Sequence, residues 1–510
     1  MADSIIKINV KTARTSFDKI KADVLSVGVF ENAGKSSVIE KINKAMGGAI
    51  SKIKKAGDFK GKSGSTALIY AGKEIAAQRV LLVGLGKSKD ADINTFRQAA
   101  SKAAFEAVKL KAKSLAILMD FDSKKFDGEK LAQAIAEGVH FGGYRYNEFV
   151  TSKENSKTKS LTATIIEENA VKNKKLAKGA KTGQLVGESQ NFARTLSNRP
   201  GNILYPEKMA AEAKKMAATL PSLSCTVYSQ AQLKQKKMGG ILAIGAGSEH
   251  KPCMIVLKYK PRTAKNSTPI ALVGKAITFD SGGISIKPSQ GMSDMKMDMT
   301  GGAAVMATMG AIAKLKLPVE VYGIICAAEN KPDACSCRPG DIVTTYSGKT
   351  VEILNTDAEG RMVLCDGIHL ANTLNCKTII DIATLTGACA VALGKHKAGL
   401  MGNDDKLIEK LKQASKNSDE PVWHLPCGDE YAEEIKGKIS DLKNIGSSRY
   451  GGACTAAAFL GQFAGKAKWA HIDIAGPMDA SDALKKITEA GSIGFGTRLF
   501  VSYLKNLVKN

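Results

Sequence analysis

Cysteine is sparse in this sequence, ten residues in 510 with no paired CxxC motif, too few and too scattered for a disulfide scaffold or a ribbon-type zinc site. Cys335-Ser336-Cys337 is a close pair, but one pair cannot complete a tetrahedral site, so the thiols read as free or structural in a reducing compartment. No apolar run reaches the roughly 18–20 residues that cross a bilayer, so no membrane insertion is expected. Met1-Ala2-Asp3-Ser4-Ile5-Ile6-Lys7 has an early acid and no long apolar stretch, unlike a secretory signal, and a cytoplasmic location is expected. The six histidines are scattered, which speaks against a His-rich zinc site. Neither a GxSxG elbow nor an HExxH helix occurs, so nucleophilic triads and the zincin pattern are excluded.

Acidic residues are also short in number, 49 against 74 Lys+Arg, for a net charge of +25. Residues 1–200 hold +16 of this and the remaining 310 hold +9. Two readings follow: a solvated lysine-rich surface, or a face for nucleic acid, anionic lipid or acidic protein. The lysines are spread out, without aromatic interleaving, so nucleic-acid binding through residues 1–200 would be non-specific. Glycine-rich turns add nothing to this. Gly84-Leu85-Gly86-Lys87-Ser88 lacks a phosphate-loop glycine, since Leu81 stands there, and Gly34-Lys35-Ser36 fails likewise at Val29.

What is present is a long, ordinary globular composition, 44% apolar and 24% charged, with length enough for two domains. In residues 1–168, apolar runs at 24–29, 66–70, 79–83 and 115–119 read as buried strands between amphipathic stretches. That alternation predicts a smaller N-terminal α/β domain with a mainly parallel sheet. A polar stretch at 151–160 precedes a linking helix over 169–198, stopped by Pro200-Gly201. Residues 199–510 repeat the rhythm, with buried runs at 270–274, 319–327, 378–383 and 469–474, and form the larger α/β domain.

Chemistry concentrates in three segments of that second domain. The apolar run 270–274 leads into Lys275 and Asp280-Ser281-Gly282-Gly283, with Lys287 just beyond, where α/β sheets place ligands. A surface lysine and a turn aspartate are the plain alternative. Asp298 precedes a helix starting near Gly301; as a first-turn acid it would complement the helix dipole, although Thr300 is the better cap candidate. In Asn355-Thr356-Asp357-Ala358-Glu359-Gly360-Arg361, an extended backbone would put Asp357, Glu359 and Arg361 on one face. The alternative there is a loop capping a helix over 361–374. Taken together, four hard carboxylates without histidine suit two divalent cations held close together.

These segments resemble the leucyl aminopeptidase family, also called cytosol aminopeptidases. The resemblance rests on Gly274–Gly283, Met295–Met299 and the heptapeptide 355–361, with flanking agreement at Thr384-Leu385-Thr386-Gly387-Ala388 and His471–Gly476. It runs closely from about residue 190 to 500. It implies a metal-dependent exopeptidase that releases N-terminal, leucine-like residues from peptides, with a mixed central sheet in the catalytic domain. It implies two divalent ions per subunit, Mn or Zn, with Mg as a further option. One ion would be held by Lys275, Asp280, Asp298 and Glu359, the other by Asp280, Asp357 and Glu359. Lys287 would be the catalytic cation and Arg361 the anchor of a bicarbonate acting as general base. The side-chain pocket would be Met295, Thr384, Gly387, Ala475 and Met478, and the assembly a homohexamer. Ala276, where many relatives have glycine, and Pro477, near the pocket, depart from the family pattern without touching a ligand.

Overall fold

A computed structural model of the chain describes residues 6–31, 37–119, 121, 124–151, 159–266 and 268–508. The residues behind the secretory-signal reading (1–5), the Gly34-Lys35-Ser36 turn and most of the polar stretch (152–158) lie outside the described residues. Two compact units result: Met1–Asn191 with Asp482–Ala490, and Phe192–Ser481 with Gly491–Asn510. The helix Ala170–Asn198 contains the point where the chain passes from the first to the second. Among the described residues no helix is long and apolar enough to cross a membrane.

The first unit holds a six-stranded sheet made of β1 (Lys7–Ala13), β2 (Val24–Phe30), β3 (Thr66–Tyr70), β4 (Arg79–Gly86), β5 (Ser114–Leu118) and β6 (Ser160–Ile166). The spatial order is β1-β6-β5-β2-β4-β3, parallel throughout except for β3 against β4. The continuous apolar runs of β2 and β4 are buried, as central parallel strands require. Thr66–Tyr70, expected to be buried, is an edge strand with Leu68 40% and Tyr70 75% exposed. A five-residue apolar run does not say whether both faces are covered. Helices Ile93–Lys109 and Gly128–Gly143 begin where the Asp92 and Asp127 carboxylates accept the Thr95 and Lys130 amides, each at 2.9 Å.

The second unit carries β7 (Leu223–Tyr228), β8 (Cys253–Tyr259), β9 (Ile270–Asp280), β10 (Val321–Asn330), β11 (Asp341–Thr344) and β12 (Thr350–Ile353). It continues with β13 (Thr378–Ala383), β14 (Ala398–Gly402), β15 (Val422–His424), β16 (Leu442–Lys443) and β17 (Lys468–Asp473). Eight of these form a mixed sheet ordered β15-β14-β17-β13-β9-β10-β8-β7, and β11-β12-β16 a small second sheet. The middle four, β17-β13-β9-β10, are parallel, so their carboxyl ends open on one edge. Helices Thr300–Leu315 and Glu359–Thr373 pack against β9 and β10, and Ala271 and Val273 share a buried core with the second of them.

Within that core, Asp381 on β13 accepts the Trp469 indole N–H at 2.7 Å and pairs with His471 Nδ1, both on β17. All three are essentially inaccessible. Asp381→Ala would strand two buried donors, each costing about 1–3 kcal/mol, and should lower the melting temperature of the protein. Burial alone would lower the His471 pKa, but the Asp381 carboxylate outweighs it and the net direction is up. A raised folded pKa gives stability that is complete below the unfolded value, about 6.5, and is lost as pH rises through the folded one. The melting-temperature gap between wild type and Asp381→Ala should therefore narrow with rising pH. A gap that is constant from acid to alkaline pH would show that the imidazolium contributes nothing.

Candidate metal centre

The site forms at the carboxyl ends of the central parallel strands. Lys275 was expected just past a strand ending at 274, but β9 runs on to Asp280 and Lys275 lies inside it. Five residues apart on a regular strand, Lys275 and Asp280 would face opposite ways. The pairing of β9 with β10 shifts here: Ala328 faces Ile277, and Asn330 faces Asp280, so β9 spends three steps against two. This bulge restores one side to both residues. Gly282 and Gly283, at φ +87° and +66°, then turn the chain back so that the Lys287 amide donates to the Ser281 carbonyl at 2.9 Å.

The stretch 355–361 is not extended. Its helix begins at Glu359, with Asp357 in the turn before it, so alternation along a strand is not what brings the two acids together. A helix start does so instead, because Asp357 hangs from the turn and Glu359 from the first helical residue. Gly360 leaves room for the Lys275 side chain, since a Cβ would lie 2.8 Å from its ammonium and force it to shift. Thr300 does not cap its helix. Its hydroxyl donates to the Met297 carbonyl at 2.6 Å, and Met299 occupies the cap position without a side-chain bond.

Lys275 Nζ lies 2.8 Å from Asp298 Oδ1, 2.6 Å from Glu359 Oε1 and 2.8 Å from the Thr384 carbonyl. Lys287 Nζ lies 2.9 Å from Asp280 Oδ2 and also pairs with Asp357 Oδ1. One ligand atom from each of Asp280, Asp357 and Glu359 falls within 4.8 Å of the others. Burial pushes the Asp280, Asp298 and Asp357 carboxyls above their usual range, and the Glu359 charge adds to it for the first two. Burial would lower both lysines, yet the carboxylates around them raise both. Such a cluster demands positive charge. Asp298 Oδ2 is buried without any hydrogen-bond partner, so the set has donor capacity its own lysines do not use. The donors fit hard divalent cations.

Arg361 is on the same helix as Glu359. Its Nη1 donates to the Asn444 carbonyl at 2.7 Å, while Nε is buried without a partner, and burial pushes the guanidinium down to about 10. Thr384 is buried and donates to Asp298 Oδ1 at 2.7 Å. Met295, Ala475 and Met478 are half-buried, and Gly387 is exposed, with nothing within 4 Å of where a Cβ would stand.

Several organising residues escaped the sequence reading. Asn330 donates to Asp280 Oδ1 at 2.9 Å and to the Thr356 carbonyl at 3.0 Å, fixing one acid against the turn that bears another. Its signal was available: it ends a buried parallel strand, where sites lie. Thr356 also joins the two loops, donating to the Gly282 carbonyl at 2.6 Å and accepting from the Ser285 amide at 2.8 Å. Asn444 accepts the Leu354 amide and donates to the Asn355 carbonyl, and a lone polar residue in a polar loop gives no sign of that.

Comparison with known proteins bears on the same segments. Residues 191–501 match the cytosol aminopeptidase family, catalytic domain, and residues 27–153 match the N-terminal domain of that family. A relative from Nitrosococcus oceani named "Probable cytosol aminopeptidase" is 39% identical over 489 residues, 96% of each chain. One of the same name from Chlorobium limicola is 40% identical, over 98% of this chain and 99% of its own. Among solved structures, a mutant of tomato leucine aminopeptidase superposes with TM-score 0.86 at 32% identity, over 99% of this chain and 97% of its own. The bottromycin maturation enzyme BotP in complex with Mn does so with TM-score 0.83 at 32% identity, over 96% and 100%.

Proposed function

The chain belongs to the cytosol aminopeptidase family across both of its domains and is a metal-dependent aminopeptidase, and from that premise we propose that it releases leucine-like N-terminal residues from peptides by two-metal hydrolysis. The convergence of Asp280, Asp357 and Glu359, beside an Asp298 oxygen with no partner, carries this reading. Lys275, Asp280, Asp298 and Glu359 would hold one ion, and Asp280, Asp357 and Glu359 the other. When bound, the ions would supply Lewis acidity to the scissile carbonyl and to water, and an attachment point for the free α-amine. A lysine ligand must be the neutral amine, which neighbouring dications favour.

The chain's own groups do the rest. Lys287, steadied by Asp280 and Asp357, offers its ammonium to the carbonyl oxygen as negative charge builds there. Arg361, with Nε unspent, would hold the bicarbonate, whose chemistry is proton acceptance. Met295, Thr384, Gly387, Ala475 and Met478 would line the side-chain pocket, with the open space at Gly387 leaving room for a branched residue. Assembly as a homohexamer goes with this reading.

The test is hydrolysis of leucyl-p-nitroanilide before and after chelation. Activity should vanish on chelation and return with Mn²⁺, Zn²⁺ or Mg²⁺, and manganese is the first ion to try because a solved relative contains it. Full turnover in exhaustively chelated protein would overturn the two-metal reading.

A further inference from the structure

The Asp473 carboxylate lies at the end of β17, fully buried, between two segments of chain that follow neighbouring strands. One is Thr384–Gly387, after β13; the other is Ile474–Met478, after β17 itself. Ala383 and Asp473 are partners in the parallel ladder, so both segments leave the sheet at the same level. Asp473 Oδ1 accepts the Leu385 amide at 3.1 Å, the Thr386 amide at 3.4 Å and the Ala475 amide at 3.1 Å. Its Oδ2 accepts the Thr386 hydroxyl at 2.6 Å, and that hydroxyl in turn accepts the Cys389 amide at 3.0 Å, where the helix Gly387–Leu393 begins. Thr384, at the head of the first segment, is bonded both to Asp298 and to Lys275.

We infer that Asp473 is the positioning residue that sets side-chain specificity, by holding the two segments that carry Thr384, Gly387, Ala475 and Met478 at a fixed separation. One carboxylate takes four hydrogen bonds from the two segments, which are tied beside it by the Ile474 amide on the Ala383 carbonyl, at 2.8 Å, and by the Cys389 thiol on the Asp473 carbonyl, at 3.7 Å. Gly387 leads into open space, so no packed side chain there resists a shift of its segment. Thr384 is fixed independently at the carboxylate cluster, so loosening the segments would alter the pocket more than the metal ligands. This inference rests on the aminopeptidase reading and names what tunes it.

The experiment compares leucyl and glycyl p-nitroanilides with wild type, Asp473→Asn and Thr386→Val, the last removing the hydroxyl that donates to Oδ2 and, with it, the acceptor of the Cys389 amide. Asp473→Asn should lower kcat/KM for the leucyl substrate by about tenfold, mainly through KM, since misplaced positioning groups cost up to about a hundredfold. For the glycyl substrate, which has no side chain to seat, the change should stay within about threefold, with metal content as in wild type. Thr386→Val should shift the ratio the same way by a smaller factor, and it carries the test if Asp473→Asn does not fold. Equal losses on both substrates, or an unchanged ratio in both variants, overturn the inference. A wild type that does not distinguish leucyl from glycyl would instead overturn the pocket assignment on which it stands.

Discussion

Asp357→Asn and, separately, Asp298→Asn are expected to lower kcat/KM by more than about a hundredfold, the most that losing a partner outside a ligand set usually costs, and to reduce bound metal. Both changes keep shape and remove one negative charge. The Thr384 hydroxyl donates to Asp298 Oδ1, which an amide oxygen still accepts, so the local fold survives the change. What disappears is the charge of the group whose Oδ2 has no partner in the protein. At Asp357, the loss falls on one of the three acids whose ligand atoms converge within 4.8 Å. Two dications bring four positive charges, and the proposed set offers four carboxylates to meet them, so each loss weakens every remaining bond to metal. Turnover and elemental analysis on the purified variants decide the matter. Near-normal rates with full metal content in both would remove Asp357 and Asp298 from the ligand set.

The sequence spoke clearly about the four central parallel strands of the second unit and about which residues gather, because buried parallel strands are written as continuous apolar runs. Residues 270–274 and 378–383 marked β9 and β13, and the acids just after such runs marked the site. The local geometry was less legible. Nothing in Ala276-Ile277-Thr278-Phe279 announces the bulge that turns Lys275 and Asp280 to one side, since a bulge is decided by the partner strand's register. Likewise the heptapeptide 355–361 fits both a strand alternation and a helix start, and tertiary contact with the loop at 281–287 selects the second. β1 was missed although its alternating Lys-Ile-Asn-Val pattern is buried at every second residue, a period-two signal diluted by lysine and asparagine. The roles of Asn330 and Asp473 are hydrogen bonds across roughly 50 to 90 residues of chain, which no local pattern encodes.

The two lysines of the site should part company under substitution. Lys287→Ala is expected to lower kcat by about 10²–10³, the usual effect of removing a donor aimed at a developing oxyanion, with metal content close to wild type. Lys287 is only partly buried, and it reaches the carboxylates from the loop beyond Gly283 rather than from the sheet. Its removal leaves Asp280 and Asp357 free for cations, which repays their lost neutralisation. Lys275 stands differently. It is buried inside β9, wedged against Gly360, with its amine touching Asp298, Glu359 and the Thr384 carbonyl at once. Lys275→Ala removes a proposed nitrogen ligand and opens a gap beneath the helix start that carries Glu359, so occupancy of the metal held there should fall. The split is read by elemental analysis alongside steady-state kinetics at saturating added Mn²⁺. For Lys287→Ala, extra metal should restore nothing, because the missing charge acts on substrate. For Lys275→Ala, high metal should recover part of the rate by mass action. Equal metal loss in both variants, or recovery of Lys287→Ala by added metal, would contradict the division of roles.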